Sequence, residues 1–264
     1  MTSARPGVPW LDEGALAAAV DELATRDADL RRVVERHGPP PLWPREPGFE
    51  TLVRIILEQQ VTLESGRAAY ERLARAAGAV EPARLAEVGE ERFRDAGLTR
   101  QKARYLVALA TAVTDGTLDL GLLETRPDDD ARAALIAVPG IGPWTADVYL
   151  LMALRRPDVW PGGDIALAAA AQFVKRLAAR PDPAELRVIA EAWRPWRAAA
   201  ARLLWHSYLS GDRPATARRP RQELRRPPTR RPATATAGAI ASMSSAVEKP
   251  ATGRPEKKPS SSSA

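Results

Sequence analysis

Apolar residues along this chain recur at steps of three and four, and runs of strict alternation are absent, so the pattern predicts helices and no sheet. Leu11 to Arg36 reads as one helix or two, rich in Ala and Leu with charges on the other face. The Pro-rich break HGPPPLWPREPG, residues 37–48, follows. FETLVRIILEQQV then repeats apolar residues at Leu52, Ile55 and Ile56, and SGRAAYERLARAAG continues after it. Glu81 to Ala96 suggests two short helices. In LTRQKARYLVALATAVTDG, Thr99 is the expected N-cap and Gly116 lies past the end. Asp128 to Ala137 runs as a helix into VPGIG. Pro143 opens the next helix, a position where its missing N–H has no intrahelical partner to lose, and that helix reaches about Leu154. Further helices begin at Asp164 and Pro183, and the last spans Pro195 to Leu209. The expected body is all-α, built of many short helices, with no internal repeat.

Charge changes this picture at one end. Of the chain's 264 residues, 39 are Lys or Arg and 33 Asp or Glu. Gly211 to Ala264 holds 12 of the basic and 4 of the acidic ones, so residues 1–210 carry 27 against 29. The high isoelectric point therefore belongs to the tail, and the body gives no basic signature of nucleic-acid binding. Pro, Arg, Thr, Ser and Ala dominate that tail, with too few large apolar residues for a core, so residues 211–264 are expected to be disordered. The absence of cysteine excludes disulfides, zinc–thiolate sites and iron–sulfur clusters. No apolar run approaches the roughly 20 residues that span a bilayer, and MTSARPGVPW has no signal-peptide core. A soluble cytoplasmic protein is expected.

The chemistry concentrates in VPGIGPWTA, residues 138–146, and in GGD, residues 162–164. Gly140 and Gly142 can take backbone angles that other residues resist. The amides of this turn, with those at the start of the helix from Pro143, form an array that binds an anion without a basic side chain. Thr145 adds a hydroxyl. This suits a DNA phosphate on a near-neutral body, although a plain tight turn between packed helices explains the spacing equally well. Asp164 after two glycines is a good helix N-cap, and on spacing alone that is its stronger reading.

Taken in order, ILEQQVT (56–62), LTRQKARYLVALA (98–110), PGIGPWTADVYLLMAL (139–154), GGD and AWRPWRAAAARLLWH (192–206) resemble the helix-hairpin-helix (HhH-GPD) DNA glycosylases, in their 3-methyladenine DNA glycosylase II branch. The resemblance implies a two-lobed helical fold with a cleft between the lobes over residues 13–210, after a flexible N-terminus at 1–12. It implies an enzyme that bends duplex DNA, flips a damaged nucleotide out and hydrolyses its N-glycosidic bond, leaving an abasic site. Asp164 matches the family's catalytic Asp, whose carboxylate stabilises the oxocarbenium-like sugar and orients or deprotonates the attacking water. Trp144 stands where strand-nicking relatives have a Schiff-base Lys; an indole cannot be that nucleophile, so a monofunctional enzyme is expected. Trp144 and Trp205 match pocket tryptophans, with Tyr149 as a further base-binding candidate, and π-faces suit a cationic alkylated purine. Gln60 falls at the wedge position that fills the gap left by the flipped base. Gly140, Gly142 and Thr145 would meet the DNA strand.

Trp193 and Trp196 are read as core, and Lys102 and Arg104 as a solvated helix face. Glu58, near the presumed DNA edge, is electrostatically odd. The resemblance requires no cofactor or metal and suggests at most an alkali cation on the hairpin carbonyls. Its partner would be double-stranded DNA with damaged bases, bound by a nucleoid-associated monomer away from any membrane. An N-terminal β-rich lobe found in a well-known bacterial relative is expected to be missing, since there is room for only one short N-terminal helical segment. The alternative is a non-catalytic helix-hairpin-helix module that recognises bent or abasic DNA.

Overall fold

Capping residues set most of the helix boundaries in the computed structural model, which describes residues 8–212. Asp12 accepts the Ala15 N–H at 2.7 Å and starts α1 (Glu13–Arg26). Asp27 ends that helix and caps the next, α2 (Ala28–His37), through the Asp29 and Leu30 amides. The Pro-rich segment carries the chain to α3 (Phe49–Glu58), and Thr62 then caps α4 (Leu63–Ala77). α5 (Pro82–Asp95) is broken at Gly89, whose φ of 76° lies in the left-handed region, which gives the two short helices expected there. Thr99 caps α6 (Arg100–Thr114) as predicted. Next comes α7 (Leu120–Leu123), a single turn capped by Asp119 and too short to show a period in the sequence. The remaining helices are α8 (Asp128–Ile136), α9 (Pro143–Met152), α10 (Ile165–Val174), α11 (Pro183–Glu191) and α12 (Arg197–Leu209).

The helices form two lobes. In one, α3, α4, α5 and α6 pack on each other; in the other, α1, α2, α10 and α12 do so with α11 against their side. α9 lies between, packed on α3 and α8, and buries every residue from Thr145 to Met152. A helix apolar on all sides belongs inside a protein, and α9 is the spine on which the hairpin is mounted. Packing extends to Leu11, whose N–H donates to Arg155 O, and to Asp212, whose carboxylate meets His37 and Ser207. The tail expected to be disordered lies, beyond Asp212, outside the described residues. Among the described residues no strand forms, and no helix is long and apolar enough to cross a membrane.

Trp193 is a core residue, as expected: it is 1% exposed and its indole donates to Asp27 at 2.8 Å. Trp196 is half-buried and donates to Glu22. Arg202 of α12 is fully buried without a carboxylate beside it. Its guanidinium donates to Leu42 O at 3.0 Å, Leu151 O at 2.9 Å and Ala198 O at 3.1 Å, tying the Pro-rich segment and the end of α9 to α12. Replacing it takes this donor from the Leu42 and Leu151 carbonyls, while Ala198 O keeps its helical bond, and each buried orphan costs about 1–3 kcal/mol. Arg202→Met is therefore expected to lower the unfolding free energy by roughly 3 kcal/mol in urea titrations, with the denaturant slope unchanged.

Candidate active site

α8 enters the hairpin through two tight turns, Val138 N–H to Leu135 O and Ile141 N–H to Val138 O, both 3.1 Å. Its two glycines serve different ends. Gly140 has φ 97°, and a Cβ there would lie 2.3 Å from Cγ of Tyr105, so both backbone angle and packing demand glycine. Gly142 has an ordinary φ of −85° and open space where a Cβ would sit. The expectation of unusual angles at both positions thus holds only for Gly140; at Gly142 the missing side chain leaves the backbone approachable from outside. α9 starts at Pro143 with no side-chain cap, so no side chain covers its first amides. These groups open onto a cleft of about 560 Å³, walled by the hairpin, by Tyr105 and Gln101 of α6, and by Gln60.

Asp164 is buried next to this cleft: it follows Gly163 and bonds to Trp144, both of which line it. It caps α10, and its Oδ1 accepts the Leu167 N–H at 2.8 Å. Its Oδ2 accepts the Trp144 indole N–H at 2.9 Å, and the Trp205 indole N–H reaches Oδ1 at a long 3.5 Å. The N-cap reading holds: the cap aims the carboxylate, and both tryptophans converge on it. The group is 1% exposed, and burial pushes its pKa up. The Leu167 amide, both indoles and the Ala166 amide act against that shift by bonding to the ionised form.

The other predicted residues divide. Trp144 is half-buried and lines the cleft, and the N–H edge of its indole meets the carboxylate. Trp205 is 1% exposed and lies behind Asp164 instead of in the cleft wall. Tyr149 is fully buried, and its phenol oxygen accepts the Gly48 N–H at 2.9 Å. That contact ties the start of α3 to α9 and leaves no ring face for a base, which corrects its assignment as base-binding. Thr145 is 2% exposed, and its hydroxyl accepts from the Gln59 amide at 2.9 Å. Its hydroxyl is therefore used inside the protein and not offered to a strand. Gln60 is exposed at the cleft with φ 57°, the left-handed region that non-glycine residues seldom enter.

Four residues act in ways the sequence did not disclose. Gln59 bridges Gly140 O and Thr145. Lys102, read as solvated, is half-buried and donates to Leu57 O at the end of α3, where the helix dipole favours a cation. Burial lowers its pKa, and Glu58 acts in the opposite sense. Glu58 is itself paired with Arg45 at 2.9 Å, which removes much of its oddness beside a proposed DNA edge. Further along α9, Asp147 is 1% exposed and bonded to Arg132 of α8. Burial pushes its pKa up to about 6, with the Arg132 pairing and the Gly162 amide opposing. No group of His, Asp and Glu among the described residues is placed to hold a metal ion.

The chain matches the HhH-GPD superfamily of base excision DNA repair proteins over residues 53–197. It is 28% identical over 186 residues to a Bacillus subtilis protein provisionally named DNA-3-methyladenine glycosylase, covering 67% of this chain and 65% of that one. With DNA-3-methyladenine glycosylase 2 of Escherichia coli the identity is 31% over 172 residues, 60% of this chain and 57% of the other. The chain thus spans less than two thirds of the length of these relatives. The crystal structure of a DNA-3-methyladenine glycosidase from Bacillus halodurans is similar at a TM-score of 0.63 and 28% identity, over 72% of this chain and 88% of that one.

Asp147 makes a prediction about stability. Its folded pKa lies above the ordinary 3.8, so the native state holds the proton more tightly than the unfolded chain. Its contribution to stability therefore falls as pH rises from about 4 to about 6 and is level above that. The full span is on the order of 2–3 kcal/mol, at 1.36 kcal/mol per pK unit. Asp147→Asn is expected to flatten that part of the profile in urea titrations between pH 4 and 7, gaining on wild type at the upper end.

Proposed function

Because the chain belongs to the HhH-GPD superfamily of base excision DNA repair proteins, we propose that it is a monofunctional DNA glycosylase acting on alkylated, 3-methyladenine-type bases in duplex DNA. The observation that carries this reading is the Asp164 carboxylate held against the Trp144 indole beside the hairpin cleft. The hairpin amides would grip a phosphate of the damaged strand through their N–H groups and the positive end of α9. Gln60 would fill the gap in the stack, and the extruded base would lie against Trp144. The names of the relatives support the choice of substrate.

Chemistry then follows from charge. A purine alkylated at a ring nitrogen is already cationic. When its bond to C1′ breaks, the bonding electrons pass to the base and neutralise it, so no acid need protonate the leaving group. The sugar is left with oxocarbenium character, and a carboxylate in a water-poor site stabilises it strongly. Water oxygen then bonds to C1′, and its proton passes to Asp164 or to solvent, leaving an abasic site. Trp144 offers no amine for a Schiff base, so the strand stays intact. An alkali cation on the hairpin belongs to the same reading: Val138 O and Gly140 O each accept one bond within the chain, which leaves each a second lone pair for an ion. The protein is proposed to act as a monomer.

Burial of Asp164 is the observation that favours the non-catalytic alternative, since a cap needs no access to substrate. One assay separates the two. Wild type is expected to release free base from methylated duplex DNA, and Asp164→Asn, which keeps the cap, to do so at least about a hundredfold more slowly. Equal rates, or no release by wild type, would sink the enzymatic reading. Borohydride is expected to trap no covalent adduct. Because burial raises the Asp164 pKa, base release is expected to fall on acidification at a pH above the ordinary carboxylate value of about 4, as the carboxylate takes up its proton.

A further inference from the structure

Gln59 is the C-cap of α3, yet its side chain bonds across the cleft to the hairpin. The amide nitrogen donates to Gly140 O at 2.9 Å and to Thr145 Oγ1 at 2.9 Å, acceptors 81 and 86 residues away in sequence. A carbonyl oxygen can only accept, so the bond to Gly140 fixes which end of the amide faces the hairpin. Gln60 follows at once, in a left-handed conformation with φ 57°. Such a conformer persists only where its surroundings impose it. On its N-terminal side those surroundings are visible: Lys102 holds Leu57 O, Arg45 holds Glu58, and Gln59 holds the hairpin.

We propose that Gln59 is a positioning residue that locks the Gln60 tip to the hairpin, so that wedge insertion and phosphate docking occur in one register. The inference rests on the glycosylase reading for its purpose, but its geometry is independent of hydrolysis. Gly140 and Thr145 flank the amides that would meet the phosphate, one on each side. A bond to both converts any shift of the hairpin on its strand into a shift of the wedge. Without it, the α3 end remains anchored by Lys102 and by the Arg45–Glu58 pair, so the loop stays folded while its distance to the hairpin becomes loose. Looseness at this point harms recognition of a gap in the base stack more than it harms contact with an intact backbone.

The test is binding, measured by fluorescence anisotropy with full-length protein. One duplex carries a central tetrahydrofuran abasic analogue; the other is intact. Gln59→Ala is expected to lose about tenfold of the wild-type preference for the abasic duplex, the scale of two hydrogen bonds. Its affinity for the intact duplex is expected to stay near wild type, and its melting temperature to fall by no more than several degrees. Gln59→Glu is expected to do no better, since a carboxylate repels Gly140 O. Thr145→Val is expected to lose about threefold, and the double variant with Gln59→Ala no more than Gln59→Ala alone, because both remove one shared contact. An unchanged preference in Gln59→Ala overturns the proposal. So does an equal loss on both duplexes, which marks a merely structural role, or an additive double variant, or a wild type with no abasic preference. Should Gln59→Ala not fold, Thr145→Val decides by the same readout. Release of base by wild type is scored separately, so failure of the glycosylase reading is told apart from failure of this one.

Discussion

A carboxylate stripped of water must be held by something, and in this protein the holding of Asp164 organises the rest. Isolated burial would neutralise the group. The amides at the start of α10 and two indole N–H groups oppose that, and each comes from a different element. α10 supplies the cap, α9 supplies Trp144, and α12 supplies Trp205. Three helices must therefore meet within hydrogen-bonding distance of one oxygen pair. The all-round apolar character of α9, and the Arg202 tie between α9 and α12, are what that convergence costs in buried surface and buried charge. The same indole that bonds to Asp164 also faces the cleft, so the proposed base platform and the proposed catalytic group cannot move independently.

Helices were legible because their signals are local. Thr99, Thr62 and Asp164 cap helices through amides two or three residues away, and Pro143 and Pro183 open helices where proline fits. The break inside α5 was legible for the same reason, since Gly89 interrupts an otherwise regular period. α7 was not, because four residues are too few to show a period of 3.6. The start of α12 was misplaced by two residues: its N-cap is Trp196, which makes no side-chain cap bond and carries no sequence signal.

Within the site, Asp164 and Trp144 were picked out by the order of motifs around them, since spacing alone left the aspartate a plain N-cap. The two meet in space. Tyr149 and Thr145 misled because residue type does not tell direction. Both lie on a helix that is buried all round, where no polar face exists to point a hydroxyl outward, so their oxygens serve partners inside the protein. Gln59 and Lys102 were illegible for a different reason. Each acts on a backbone carbonyl far away in sequence, and a carbonyl is the same for every residue, so no pairing of side-chain types betrays it.

Charge gives the last constraint. Residues 1–210 carry 27 basic against 29 acidic side chains, a poor surface for a polyanion if side chains alone did the binding. The structure resolves this by removing acids from play near the cleft. Glu58 is paired with Arg45, and Asp164 is enclosed by N–H donors. What stays open at the hairpin is backbone: the exposed Gly142, with room around it, and the uncapped first turn of α9. Amides aimed at a phosphate attract it at short range, whatever the net charge of the body. Binding built that way depends on shape more than on counterion release, and shape is what separates a kinked, gapped duplex from a regular one. In the proposed reading, a body with almost no net charge favours selectivity, because intact DNA would gain little from mere proximity, while a damaged site that bends would bring its phosphate onto the hairpin.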